Sequence, residues 1–246
     1  MNAEIKGTIL PVLEVTLNPG EKLIAEAGEL SWMTQTIQLT TTTQTAGAKG
    51  MMGVLKRAVG GGGIFMTEYD AVGGAGVVAF ATKLPGMILP VQVGAGAEYM
   101  IHRHGFLCGT EGIEVTMAFQ KKLGAGIFGG DGFVLQKMAG SANTWVELDG
   151  EVIVYDLQPG EFLRVHPGHV GMFEARVPFE ITTVPGIKNK LFGGDGLFLA
   201  KLSGPGRVWL QTLTVSGLAG ALQPYLIQGE AGAGVAGGVI GGLLKN

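Results

Sequence analysis

The sequence predicts an all-β fold of three pseudo-symmetric units, and three observations carry that prediction: a repeated turn-and-strand motif, apolar alternation with a period of two, and Pro-Gly turns between strands. Leu17, Pro19, Gly20, Glu21 and Gly28 line up without gaps on Leu157, Pro159, Gly160, Glu161 and Gly168. A looser copy covers residues 94–105, with Glu98 matched to Glu21 and Gly105 matched to Gly28. Each copy then reaches a glycine cluster, at residues 60–65, 129–134 and 193–198, the last two reading Gly-Gly-Asp-Gly through Asp131 and Asp195. Trp145 and Trp209 follow at matching places in copies two and three. The units fall near 1–86, 87–156 and 157–217, with a Gly/Ala-rich tail over 218–246 and no linker dividing the body.

The elements follow in order. Residues 113–120 place an apolar side chain at every odd position, which suits a half-buried strand whose successive side chains face opposite sides. Residues 151–155 and 207–215 are rich in Val, Leu, Trp and Thr, the side chains that pack well on a pleated surface. Pro19, Pro85, Pro159, Pro167, Pro185 and Pro205 each precede a glycine, so proline presets φ at one turn position and glycine accepts the next. Short strands closed by such turns predict a sandwich, barrel or β-helix around a pseudo-threefold axis. Short helical segments are expected only at residues 49–59, 121–128 and 187–192, each basic and apolar and each set before or within a glycine cluster.

Composition narrows the function. The 246 residues are 46% hydrophobic and 15% charged, a globular composition that excludes disorder and collagen. A net charge of −3 gives no general attraction to nucleic acid. Cys108 stands alone and pairs with nothing in its own chain, and the N-terminus lacks the basic and apolar regions of a signal peptide, so a cytoplasmic protein is expected.

The Pro-Gly-Glu strand start and the Gly-Gly-Asp-Gly step after a basic apolar stretch resemble a family once catalogued only as a domain of unknown function. Its eukaryotic members are mitochondrial biogenesis proteins of the inner membrane. The resemblance covers residues 1 to about 217 and is most specific at Phe192, Gly193, Gly194, Asp195, Gly196, Leu197 and Phe198. It implies a fold similar to the tryptophan-RNA-binding attenuator class, double-stranded β-helix-like, and it brings no catalytic residues. The chain looks like a bacterial member, because no Arg-rich, acid-poor presequence precedes the first unit.

Candidate sites are few. His102 and His104 share one face of a strand, and with Glu111 and His169 they form the one candidate transition-metal set, in a cupin-like arrangement whose spacing departs from the cupin pattern. The glycine steps are turns rather than phosphate loops, since no Gly-Lys-Ser/Thr follows and their aspartates repel anions. No nucleophile elbow occurs. By pseudosymmetry the basic apolar segments, carrying Met51, Met52, Leu55, Lys56 and Arg57, then Lys121, Lys122, Ile127 and Phe128, then Lys188, Lys190, Leu191 and Phe192, gather at one end as an interfacial patch. In the tail, Gly234, Gly238 and Gly242 recur every fourth residue, a spacing that lets helices approach closely.

The expected function is therefore a non-enzymatic scaffold or assembly protein with no cofactor. It is a homo-oligomer touching itself, a protein partner or a membrane surface. A metal-dependent cupin-like enzyme centred on His102 and His104 is the alternative, and RNA binding a third reading that the charge balance disfavours.

Overall fold

A computed structural model of the chain describes residues 1–42, 64–121, 132–183 and 198–226. Their architecture is all-β. A leading strand, β1 (Asn2–Lys6), precedes three groups of six. The first is β2 (Val12–Leu17), β3 (Lys22–Glu26), β4 (Trp32–Met33), β5 (Ile37–Thr42), β6 (Met66–Ala71) and β7 (Gly76–Ala81). The second is β8 (Gly86–Val93), β9 (Tyr99–His102), β10 (Phe106–Thr110), β11 (Ile113–Lys121), β12 (Phe133–Gly140) and β13 (Ala142–Asp149). The third is β14 (Val152–Leu157), β15 (Phe162–Val165), β16 (Val170–Glu174), β17 (Phe179–Thr183), β18 (Phe198–Ser203) and β19 (Gly206–Gln211), after which helix α1 (Val215–Leu222) begins.

Each group makes a small two-sheet sandwich. Its first, sixth and third strands pair as one half-sheet, and its fifth strand pairs with the fourth and second as the other. Adjacent groups then fuse edge to edge. β3 pairs antiparallel with β10, and β9 with β16, so two six-stranded sheets each take half their strands from one repeat and half from the next. The outer halves stay separate, as the sheets β1-β2-β7-β4 and β15-β18-β17. Three apolar clusters fill the spaces between successive sheets, around Phe80 and Tyr69, around Phe106 and Met138, and around Phe173 and Leu202. None contains residues from both outer sheets.

The repeated Pro-Gly-Glu motif has a local cause. Asn18 to Glu21 and Gln158 to Glu161 form turns closed by a backbone bond (2.9 and 3.0 Å), with Gly20 and Gly160 at φ +86° and +87° in the third position. The glutamate then reaches back, its carboxylate accepting the N–H of Asn18 (2.8 Å) or Gln158 (2.7 Å) at the first position. Replacing Glu161 with alanine leaves the Gln158 N–H to solvent, and we expect a loss of about 1 kcal/mol by urea denaturation.

The second copy departs from the predicted alignment by one residue. There the turn is Gly94 to Ala97, with reciprocal backbone bonds of 3.0 and 2.8 Å, so Ala97 holds the place of Glu21 and Glu98 that of Lys22. Strand register agrees: Ala25, Ile101 and Val165 face Thr67, Gln136 and Ala200, each four residues after a matching cluster glycine. The shift explains the charges. Lys22 pairs with Glu68 in the first repeat, Glu98 with Lys137 (2.7 Å) at the same place in the second, and Phe162 lies beneath Lys201 (5.3 Å) in the third.

Other expectations meet the structure variously. Lys121 ends strand β11 instead of opening a helix. The strand expected over 207–215 stops at Gln211, because Thr214 caps α1 by accepting the Gly217 N–H (3.0 Å). Pro167 and Gly168 lie in a 3-10 turn, and Gly86 lies in a strand, so those pairs do not use a left-handed glycine. Met51, Met52, Leu55, Lys56, Arg57, Lys122, Ile127, Phe128, Lys188, Lys190, Leu191 and Phe192 lie outside the described residues, as do Gly234, Gly238 and Gly242. The stretches that carry the basic apolar residues join equivalent antiparallel pairs, β5 to β6, β11 to β12 and β17 to β18.

Candidate functional site

The metal set proposed from sequence is dispersed. His102 ends β9, with its Nε2 3.2 Å from the Glu147 carbonyl oxygen, while His169 sits in the third repeat with Nδ1 2.8 Å from the Gln211 carbonyl. His104 and Glu111 occupy exposed turns on either side of β10. His169 has a histidine neighbour, but it is His166, at 5.9 Å between ring centres. Among the described residues no group of three or more His, Cys, Asp or Glu is placed to hold a metal ion.

A different constellation forms where the first two repeats fuse. Equivalent positions at the ends of β3 and β9 bring Glu26 and His102 to the joint, and the loop after β3 adds Glu29. Glu147 arrives from β13, Gln136 from β12 and Lys83 from the link between β7 and β8. Glu29 and Glu147 are only 6% and 4% exposed, so both carboxyls depend on protein partners rather than on water. Lys83 serves both, its ammonium donating to Glu29 and its backbone N–H to Glu147 Oε2 (3.4 Å). Gln136 donates to Glu26 Oε2 (3.1 Å), and its own carbonyl oxygen is buried with no partner.

This crowding perturbs the groups. Burial, reinforced by the charge of Glu29, pushes the Glu147 carboxyl up to about 7. Glu26 is raised as well, burial outweighing its bond from Gln136. Burial pulls the His102 imidazole down to about 4, although its bond to the Glu147 carbonyl works the other way. Cys108, fully buried nearby, is pushed well above the ordinary thiol range by burial, which makes it a packing residue and not a nucleophile. The cluster has a proton-holding carboxyl near neutrality, but its groups are turned toward one another. A cleft of about 550 Å³ lies elsewhere, at the fusion of repeats two and three. Its lining includes the paired ions Glu98, Lys137, Glu174 and Arg176.

Sequence reasoning missed this cluster because its members come from segments far apart in the chain; Gln136 and Glu26 are 110 positions apart. The signal available was weak: Glu147 stands two residues after the repeated tryptophan Trp145, between Val146 and Leu148.

Fold and site together define a class: an all-β protein of three fused sandwich repeats, with its strongest polar cluster spent on a joint between repeats. The chain belongs to the mitochondrial biogenesis AIM24 family, whose model matches residues 3–213. It is 23% identical over 219 residues to an uncharacterised protein of Streptococcus pyogenes serotype M6, covering 88% of this chain and 87% of that one. Its fold is similar to the crystal structure of a Streptococcus pyogenes protein at a TM-score of 0.72 and 21% identity, covering 92% of this chain and 99% of that one.

Proposed function

We propose that the protein is a non-enzymatic assembly scaffold, a homo-oligomer of the cytoplasm whose surfaces take further copies, a protein partner or a membrane face. One observation carries this reading: large apolar side chains stand exposed on strands that end their sheets. Ile153, Val154 and Tyr155 do so on β14, and Trp32 and Met33 on β4, where unpaired backbone groups accompany them. Helix α1 adds to it, since none of its residues is buried. The reading keeps the likeness to the attenuator class and its double-stranded β-helix-like architecture, supported by one unit joined edge to edge, without the RNA ligand. No helix among the described residues is long and apolar enough to cross a membrane, so membrane contact in this proposal is at the surface.

Sedimentation velocity over a hundredfold concentration range, with flotation on anionic vesicles at two salt concentrations, tests it. Species larger than 25.5 kDa, or salt-sensitive flotation, are the expected results. A monomer at every concentration that never floats would overturn the proposal. So would stoichiometric bound metal that is lost when His102 and His104 are both replaced by alanine.

A further inference from the structure

The two internal joints follow one rule, in which the second strand of a repeat pairs with the third strand of the next. By that rule β15 has a place for a third strand beside it, and β4 has a place for a second strand. Among the described residues neither place is filled: β15 is bonded only to β18, and β4 only to β7. The consequences are visible side chain by side chain. Trp32, Cys108 and Met172 are equivalent, each facing Ala79, Trp145 or Trp209 across the same strand pair. Cys108 and Met172 are 0% and 1% exposed beneath their joints, whereas Trp32 is 49% exposed. β4 is also only two residues long, against five for β10 and β16, whose second neighbours hold them extended.

We propose that β4 and β15 are the two halves of a self-assembly joint, β15 of one copy pairing antiparallel with β4 of the next. The inference rests on the scaffold reading and names its partner as a second copy of this chain. The internal joints set the register. Cys108, Gly109 and Thr110 face Ala25, Ile24 and Leu23, and Met172, Phe173 and Glu174 face Ile101, Met100 and Tyr99. Transferred to the open edges, this sets Trp32 opposite Val165, Met33 opposite Arg164 and Thr34 opposite Leu163. Trp32 then covers the edge of the third apolar cluster, where Val165 and Leu163 already pack, and becomes the aromatic anchor of the interface. Closure within one chain is opposed by the layering, because the two outer sheets share no apolar cluster. The contact is head-to-tail, so copies add in series until the series closes on itself.

The test mixes two full-length variants, Met33→Cys and Arg164→Cys, under mild oxidation. Both positions are exposed, and the native Cys108 is buried. A disulfide-linked pair containing one of each is expected, with no such product when Ile153→Cys on the β14 edge replaces Met33→Cys. A second arm needs no oxidation. Met33→Lys sets a cation opposite Arg164 and should weaken self-association at least about tenfold, and Arg164→Glu in the same chain should restore it. Absence of the mixed disulfide, an equal yield of it with Ile153→Cys in place of Met33→Cys, or self-association indifferent to Met33→Lys would each overturn the joint. An oligomer lacking this disulfide rejects the joint and spares the scaffold, whereas a protein that is monomeric throughout and never floats on vesicles rejects both.

Discussion

Gly140→Ala is expected to destabilise the protein by about 3 kcal/mol or more, seen as a fall of roughly 6–12 °C in thermal unfolding. Gly140 closes the tight turn between β12 and β13 at φ +96°, a backbone conformation that L side chains avoid. A Cβ there would stand 2.1 Å from the Gly112 carbonyl oxygen, the same oxygen that accepts the Ser141 N–H at 3.0 Å. Gly112 is itself at φ +93°, so backbone on both sides of the β11–β12 pairing would have to move. Gly160→Ala separates conformational strain from collision. Gly160 has a similar φ, +87°, but nothing lies within 4 Å of its added carbon, and about 1 kcal/mol is expected. Equal losses in the two variants would contradict the packing argument.

The second large effect is a pair of opposite pH dependences in the buried cluster. Glu147 holds its proton more tightly folded than unfolded, so its contribution is fully present below about 4.5 and is lost as pH rises toward 7. His102 holds its proton less tightly folded, so its contribution is present above 6.5 and is lost as pH falls toward 4. Each amounts to about 3 kcal/mol across its window, and over the overlap the two slopes cancel in the parent protein. Chemical denaturation of Glu147→Gln should show stability relative to the parent rising between about pH 4.5 and 7. His102→Gln should show it falling as pH rises from about 4 to 6.5. Curves running parallel to the parent would show that neither group titrates differently on folding.

Much of the architecture was written locally. Alternation marked β11, whose Ile113 and Val115 are buried, and the Pro-Gly-Glu turns at Gly20 and Gly160 have the predicted shape, with the glutamate bonds explaining the third residue. The one-residue slip in the second copy was hidden because Gly94 and Gly96 make the same turn with different chemistry, leaving Glu98 to be matched by residue type alone. The fusion of repeats had no signature at all. An edge strand that pairs with another repeat reads like any other short strand, so Ala25 beside Cys108 was beyond a local pattern. Trp32 shows the converse: nothing in its sequence marks it as an edge residue, and only comparison with Cys108 and Met172 shows what its exposure means. The candidate site was mostly illegible, since only His102 of the metal set reached the cluster that formed.

Amide hydrogen exchange measured at low and high protein concentration tests the self-assembly account most directly. It predicts concentration-dependent protection of the outward amides of β4 and β15, at residues 32–33 and 162–165, with no change along β14. Protection in those two strands that is the same at both concentrations would contradict it.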